Sequence, residues 1–261
     1  MEKSSSTSIF TTNALESHDS GKSGFTFYTT GVEKKCCYTE YDENLNRFSG
    51  RTRINLRPPQ SYSILGSCNG LVCFKCKFHN EPVYICNPIT REYIVLPRVV
   101  GLDLLTGFGY CPSTNEYKVV TIGWRNILVY TLGSGGIGWR NVKHMDRDII
   151  SRRQIGEFAN GSIHWVDKRG TIFVFNLADE ELHRLPTPPC LHRARFIVRV
   201  LGDFLCATID EDCVRAIWRL KNCKDNEDGS AYAAVIDTMY AGKTMKTESF
   251  LLSGLMDTMY H

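Results

Sequence analysis

Short runs of apolar and β-branched residues, each closed by polar turn residues, dominate the chain from residue 25 to residue 220. They are clearest over residues 66–120. There Asn69-Gly70, a strong signal for a tight turn between strands, precedes the run Leu71-Val72-Cys73-Phe74. Val83-Tyr84-Ile85-Cys86 follows, then the turn Asn87-Pro88-Ile89-Thr90-Arg91-Glu92, then Tyr93-Ile94-Val95-Leu96-Pro97. The pattern returns after Gly156. Asn160-Gly161 matches Asn69-Gly70, Asn176 matches Asn87 and Leu185-Pro186 matches Leu96-Pro97, at offsets of 91, 89 and 89 residues.

An offset near 90 divides into two units of propeller-blade length, about 40–50 residues. Gly107-Phe108-Gly109-Tyr110 opens an intermediate unit, with Tyr117-Lys118-Val119-Val120-Thr121-Ile122 and Ile127-Leu128-Val129-Tyr130 as its strands. Leu201-Gly202-Asp203-Phe204-Leu205-Cys206-Ala207 opens another, ending in Ala216-Ile217-Trp218-Arg219-Leu220. Units therefore start near Gly66, Gly107, Gly156 and Gly202, spaced by 41, 49 and 46 residues. This spacing predicts an all-β fold of propeller-like, kelch-type repeats of antiparallel sheets, each hiding its faces against its neighbours. Closure takes about four to eight blades, so four units plus the region 25–60 sit at the low end and do not decide closure; an incomplete propeller is the expectation.

The flanks read differently. Residues 1–24 are rich in Ser, Thr and Gly and predict a disordered leader. The β-repeat domain is expected over residues 25–261. Phe25-Thr26-Phe27-Tyr28-Thr29, Lys35-Cys36-Cys37-Tyr38-Thr39-Glu40-Tyr41 and Arg51-Thr52-Arg53-Ile54-Asn55-Leu56 are strand material for an opening blade or a flanking hairpin region. Residues 222–230 form a polar loop; after it, Ala231-Tyr232-Ala233-Ala234-Val235-Ile236 fits a strand or a short helix, and periodicity does not decide. The apolar run Phe250-Leu251-Leu252-Ser253-Gly254-Leu255-Met256 lies near the end without a following partner, as in a domain truncated at its C-terminus.

Composition narrows the function classes. The chain has 261 residues, 43% hydrophobic and 11% aromatic, which suits a globular domain with a substantial core. A net charge of +3 is too small to argue for nucleic acid or an anionic membrane surface as partner. No run approaches the ~18 apolar residues of a membrane span, and the polar N-terminus lacks the apolar core of a secretory signal. The eleven cysteines are then expected to be reduced thiols in a cytoplasmic or nuclear protein.

Several clusters invite chemistry. Cys73 and Cys76, with Cys68 and Cys86 nearby, suggest zinc, but strand alternation points two residues three apart to opposite faces, and no second close pair follows. Cys86, Cys111 and Cys206 sit in apolar strands and read as core. His164 aligns with Cys73 two units apart, so the two do not converge as a nucleophilic pair. The acidic runs Asp179-Glu180-Glu181 and Asp210-Glu211-Asp212 read as solvated turn charges. Gly133-Ser134-Gly135-Gly136-Ile137-Gly138 lacks the Gly-Lys-Ser/Thr ending of a phosphate loop and continues into the strand Trp139-Arg140-Asn141-Val142. Lys143, His144, Arg147, Arg152 and Arg153 form a modest basic cluster that reads as a solvated loop. No catalytic, cofactor-binding or metal-ligating residue is assigned, and no cofactor is expected.

Residues 66–220 resemble the F-box-associated, kelch-like region of plant F-box proteins. The resemblance rests on Ser67-Cys68-Asn69-Gly70-Leu71-Val72-Cys73, Cys86-Asn87-Pro88-Ile89-Thr90-Arg91-Glu92 with Leu96-Pro97, and Gly107-Phe108-Gly109-Tyr110 with Asn115-Glu116-Tyr117-Lys118-Val119-Val120. It continues through Ala159-Asn160-Gly161-Ser162-Ile163-His164-Trp165, Phe175-Asn176-Leu177 with Leu185-Pro186, and Leu201-Gly202 with Leu205-Cys206. It implies a protein-binding module that holds the substrate protein of a cullin-RING, SCF-type ubiquitin ligase. Residues 1–60 carry no leucine- and proline-marked helical pattern of F-box type and no Trp, so docking to a Skp-type adaptor is expected only if an F-box is present. A truncated decoy or nonfunctional remnant is the alternative. An enzyme on a propeller scaffold is disfavoured, because equivalent unit positions hold Cys73, His164 and Cys206 or Ala207, a poor acid/base set. The partner itself is unknown, and loops at 78–82, 102–106, 133–138 and 167–170 are the candidate contacts.

Overall fold

The computed structural model describes residues 7–11, 22–29, 36–42, 44–50, 52–54, 62–76, 82–99, 103–133, 138–144, 154–167, 170–185, 196–201, 204–211, 214–222 and 234–243. These residues form strands and turns, with no helix among them and hence none long and apolar enough to cross a membrane. The chain divides into two compact units, 1–184 and 185–261.

The first unit carries four sheets. Sheet 1 contains β1 (Thr7–Thr11), β2 (Lys22–Thr29), β3 (Cys36–Asp42) and β4 (Arg47–Phe48) in that order, with β5 (Thr52–Ile54) also on β3. Sheet 2 is a meander of β6 (Tyr62–Cys68), β7 (Leu71–Cys76), β8 (Val83–Cys86) and β9 (Tyr93–Val95). Sheet 3 is β10 (Asp103–Cys111), β11 (Glu116–Gly123), β12 (Asn126–Thr131) and β13 (Arg140–His144), with β14 (Gln154–Ile155) parallel to β10. Sheet 4 is β15 (Glu157–Ala159), β16 (Ser162–Val166), β17 (Ile172–Asn176) and β18 (Leu182–Leu185). In the second unit, sheet 5 is β19 (Phe196–Leu201), β20 (Phe204–Glu211), β21 (Val214–Asn222) and β22 (Ala234–Lys243). The fold is all-β, built from antiparallel sheets, as the sequence pattern predicts.

Both Asn-Gly pairs make the turns expected of them. Asn69 and Gly70 have φ of +46° and +77°, and Asn160 and Gly161 have +50° and +71°. Two successive left-handed residues give the turn whose twist matches the flanking strands, and Asn and Gly tolerate that backbone best.

The apolar runs are continuous because the sheets are covered on both faces. In β7, Val72 and Phe74 pack with Ile64, Cys86 and Tyr38 of sheet 1, while Cys73 points the other way and joins Leu65, Ile85, Phe108 and Val119 of sheets 2 and 3. Sheet 3 repeats the arrangement. Val119 faces sheet 2, whereas Val120, Ile122, Ile127 and Val129 pack with Ile163, Trp165, Phe173 and Phe175 of sheet 4. Period-two alternation thus sends each strand's side chains into two different interfaces.

The Gly-Phe-Gly-Tyr string of β10 follows from the same alternation. Phe108 and Tyr110 turn toward sheet 2, and Gly107 and Gly109 toward sheet 4. A Cβ on Gly107 would lie 2.4 Å from Ile163 Cγ2, and one on Gly109 would lie 2.2 Å from Phe158 Cδ2. Sheet 4 approaches too closely for any side chain there. Trp165 ties the two sheets by donating its indole N–H to the Thr106 carbonyl at 3.1 Å, an oxygen that also accepts from Gly156 N at 2.7 Å.

Two sequence expectations meet a different structure, and one left open is decided. Thr7–Thr11 forms a strand registered against residues 25–29, inside the stretch read as a disordered leader; its Thr, Ile and Phe residues favour a paired strand despite the polar surroundings. Ala234-Val235-Ile236 is strand, the start of β22, and completes sheet 5 beyond the polar loop. Residues 103–106 belong to β10 rather than to a loop, since Leu105 and Thr106 pair with Ile122 and Thr121. Gly202 and the run 250–256 lie outside the described residues.

Candidate functional site

In an antiparallel meander successive hairpins fall at alternate ends of the sheet. In sheet 3 the 112–115 turn and the 132–139 link share one end, and the Trp124-Arg125 hairpin occupies the other. Contacts between sheets identify the first end as common to sheets 2, 3 and 4. Asn69 hydrogen-bonds Tyr117, a Cβ on Gly161 would sit 3.8 Å from Pro112, and Lys118 reaches the 177–181 turn. Among the candidate loops, 133–138 starts from this end, whereas 78–82 and 167–170 close the opposite ends of sheets 2 and 4. Residues 78–81, 134–137 and 168–169 lie outside the described residues, and Pro82 is buried.

The first end holds an ion cluster that the sequence concealed. Asn87 and Asn176 build the same turn. Each side-chain Oδ1 accepts a backbone N–H two residues on, and each backbone carbonyl accepts from the residue four on, Arg91 or Glu180. That fourth residue is left-handed in both turns, with φ of +64° at Arg91 and +58° at Glu180. Arg91 is exposed. Glu180 is not a solvated turn charge, contrary to the sequence reading. Its Oε1 accepts from Lys118 Nζ at 3.0 Å and from Arg140 Nη2 at 2.6 Å, and its Oε2 accepts from Arg140 Nη1 at 3.1 Å. Lys118, only 4% exposed, also donates to the Leu177 carbonyl at 2.7 Å and lies 3.6 Å from Glu116 Oε2. Burial alone would raise the Glu180 carboxyl, but hydrogen bonds from Arg140 and Lys118 and their charges outweigh it and hold it below the usual carboxylate range. The cluster anchors the first end of sheet 4 to sheet 3.

The opposite end of sheet 3 is chemically different. Trp124 is 51% exposed at the β11–β12 tip, and Arg125 and Asn126 are exposed beside it. Strand register places Asn126 against His144 and Ile127 against Lys143, both on the exposed outer strand β13. Lys143 and His144 of the basic cluster are thus brought to this tip; Arg147, Arg152 and Arg153 lie outside the described residues. The signal for this site was in the sequence: Ile-Gly-Trp-Arg-Asn occurs at residues 122–126 and again at 137–141.

Cys68, Cys73, Cys86 and His164 are packed rather than poised. Cys73 is fully buried, and burial pushes its thiol well above the ordinary value; burial likewise raises Cys68 and Cys86 to about 12. Cys111 and Cys206 are buried as well. The Cys76 side chain lies outside the described residues, and among the described residues no group of three His, Cys, Asp or Glu is arranged to hold a metal. His164 is 4% exposed, with Nδ1 3.3 Å from the Glu157 carbonyl, and burial lowers its pKa to about 4.

The family match agrees with this architecture. A family model described as the F-box associated beta propeller domain matches residues 23–238. An F-box protein of Arabidopsis thaliana is 27% identical over 186 residues, covering 57% of this chain and 44% of its own. An F-box/kelch-repeat protein of the same plant is 27% identical over 161 residues, covering 54% of this chain and 43% of its own. The chain therefore spans less than half the length of these relatives. Among solved structures, YCF48 from Cyanidioschyzon merolae aligns over 88% of this chain and 70% of its own, at TM-score 0.46 and 12% identity. With 23–238 matched, and with double-faced antiparallel sheets at blade-length spacing, the chain belongs to the F-box associated beta propeller domain family.

Proposed function

We propose that this chain is a non-enzymatic protein-binding module, the substrate-recognition part of an SCF-type ubiquitin ligase in the cytoplasm or nucleus. The observation that carries the reading is the family match over residues 23–238, together with relatives that are named F-box proteins. The geometry supports it, because buried, double-faced sheets form a rigid base whose hairpin ends can vary without disturbing the core. A Skp-type adaptor is a partner only where an F-box accompanies the domain. The test is affinity purification of the tagged chain from a plant extract held under proteasome inhibition, read by mass spectrometry. A discrete bound protein, whose ubiquitination falls when the chain is removed, is the expected result. Recovery of chaperones alone would sink the proposal. Adaptor recovered in near-equal amount would place adaptor docking within this chain.

A further inference from the structure

The repeated pentapeptide is used in two ways. In the second copy both large side chains are engaged inside the protein. Trp139 donates its indole N–H to the Pro97 carbonyl at 2.7 Å and packs on Tyr130, ring centroids 5.5 Å apart. Arg140 forks onto the Glu180 carboxylate at 2.6 and 3.1 Å. In the first copy the same two side chains stand at a hairpin tip. Among the described residues no hydrogen bond, ion pair or ring contact engages Trp124 or Arg125. Their base is firm, since Ile122 and Ile127 pair across the hairpin and are both 0% exposed.

We propose that the Trp124-Arg125 tip docks an extended acidic segment of a partner protein, Arg125 holding a carboxylate and Trp124 a main-chain carbonyl. This rests on the reading of the chain as a protein-binding module and names the surface and the partner chemistry. Two observations select an acidic peptide. The second copy of the same residues binds a glutamate carboxylate and a peptide carbonyl, so the pair's complement is displayed within the molecule. The tip also has a cation beside it: the register sets Lys143 against Ile127, while among the described residues paired at this end the acidic position is Asp103, opposite Gly123. A planar guanidinium binds a carboxylate through two parallel bonds, and an exposed Trp brings large contact area with little rotamer entropy to lose. A nucleic acid would also meet cations and an aromatic ring, but it offers neither the carboxylate nor the peptide carbonyl.

The test is fluorescence anisotropy of the full chain with a fluorescein-labelled hexaglutamate peptide, beside hexalysine and hexathymidylate probes of equal length. Hexaglutamate should bind, and Trp124→Ala and Arg125→Ala should each weaken it by about tenfold or more. Arg125→Lys should recover only part of the loss, because an ammonium cannot make the fork. Arg47→Ala, which removes another exposed charge, from sheet 1, should leave the affinity unchanged. Absence of hexaglutamate binding, unchanged binding in the Trp124→Ala/Arg125→Ala variant, or preference for hexathymidylate would each overturn the proposal. The double variant in the extract purification separates the two readings. If it retains the wild-type partner, the tip is not the docking point and the module reading stands; if the wild-type chain captures no partner, the module reading itself falls.

Discussion

Glu180 is the residue whose removal should cost most for its apparent exposure on a turn. Lys118 Nζ is 4% exposed and has three oxygen partners, of which Glu180 is the closest carboxylate at 3.0 Å. Breaking a buried ion pair from one side costs about 3–5 kcal/mol, because the remaining charge stays buried without its counter-ion. Here Glu116, at 3.6 Å and 37% exposed, offers partial compensation. Glu180→Ala should therefore sit at the low end, about 3 kcal/mol. Lys118→Met should cost less, about 1–2 kcal/mol, since Glu180 keeps Arg140, Glu116 is partly solvated, and the Leu177 carbonyl alone loses a hydrogen-bond donor without a replacement. The double variant Lys118→Met/Glu180→Ala should be more stable than Glu180→Ala alone, which requires a coupling larger than the Lys118→Met cost, about 2–3 kcal/mol. Urea unfolding followed by tryptophan fluorescence at pH 7 reads all three. The sign with pH follows from the lowered carboxyl: the Glu180 contribution is complete above the ordinary carboxylate range and is lost as pH falls through the lower folded value. Strict additivity of the two single variants, or Lys118→Met costing more than Glu180→Ala, would refute the reasoning.

Three further outcomes follow from the packing. His164 has a folded pKa near 4 against an ordinary 6.5, so its contribution is present above pH 6.5 and erodes as pH falls toward 4. By pH 5 that is about 2 kcal/mol, and His164→Gln should flatten the fall in urea midpoint between pH 7 and 5; an unchanged slope would show that other groups carry it. Gly109→Ala forces a methyl toward the Phe158 ring and should cost about 1–3 kcal/mol, read as a lowered thermal midpoint, whereas Gly50→Ala, with nothing within 4 Å, should be nearly neutral. Ile94→Lys, on the exposed edge strand β9 where Tyr93 and Val95 are also half exposed, should leave the midpoint unchanged and reduce light scattering of concentrated samples.

What was legible in the sequence is what local chemistry decides. Asn69-Gly70 and Asn160-Gly161 announce their turns because two left-handed residues in succession need those side chains. The runs around Val72, Val120 and Phe173 announce strands covered on both faces because no polar alternation interrupts them. What stayed hidden depends on partners distant in the chain. Glu180 looks like one of three acids on a turn, and its role needs Lys118, 62 residues earlier, and a backbone turned to φ +58°. Gly107 and Gly109 read only as the opening of a unit, yet they stand mid-strand because Ile163 and Phe158 leave no room. The Ile-Gly-Trp-Arg-Asn repeat was visible, but an offset of 15 residues falls well below blade length and is lost in a pattern dominated by larger spacings.

The two duplications show how a repeat fold separates scaffold from recognition. Asn87 and Asn176 impose one turn geometry, and at its left-handed fourth position one sheet places Arg91 in solvent while another places Glu180 onto a buried lysine. Backbone chemistry is held while a single side chain decides between surface and anchor. The pentapeptide does the reverse, holding its side chains while the backbone changes from the start of a strand at Trp139-Arg140 to a hairpin tip at Trp124-Arg125. A Trp-Arg pair that fits a glutamate and a carbonyl remains chemically able to do so wherever the fold puts it. At the start of β13 that ability ties sheet 3 to the segment after β9 and to the 177–181 turn of sheet 4. At an exposed tip it is available to another molecule, and so the hairpin end rather than the buried junction is where binding specificity can change without cost to the core.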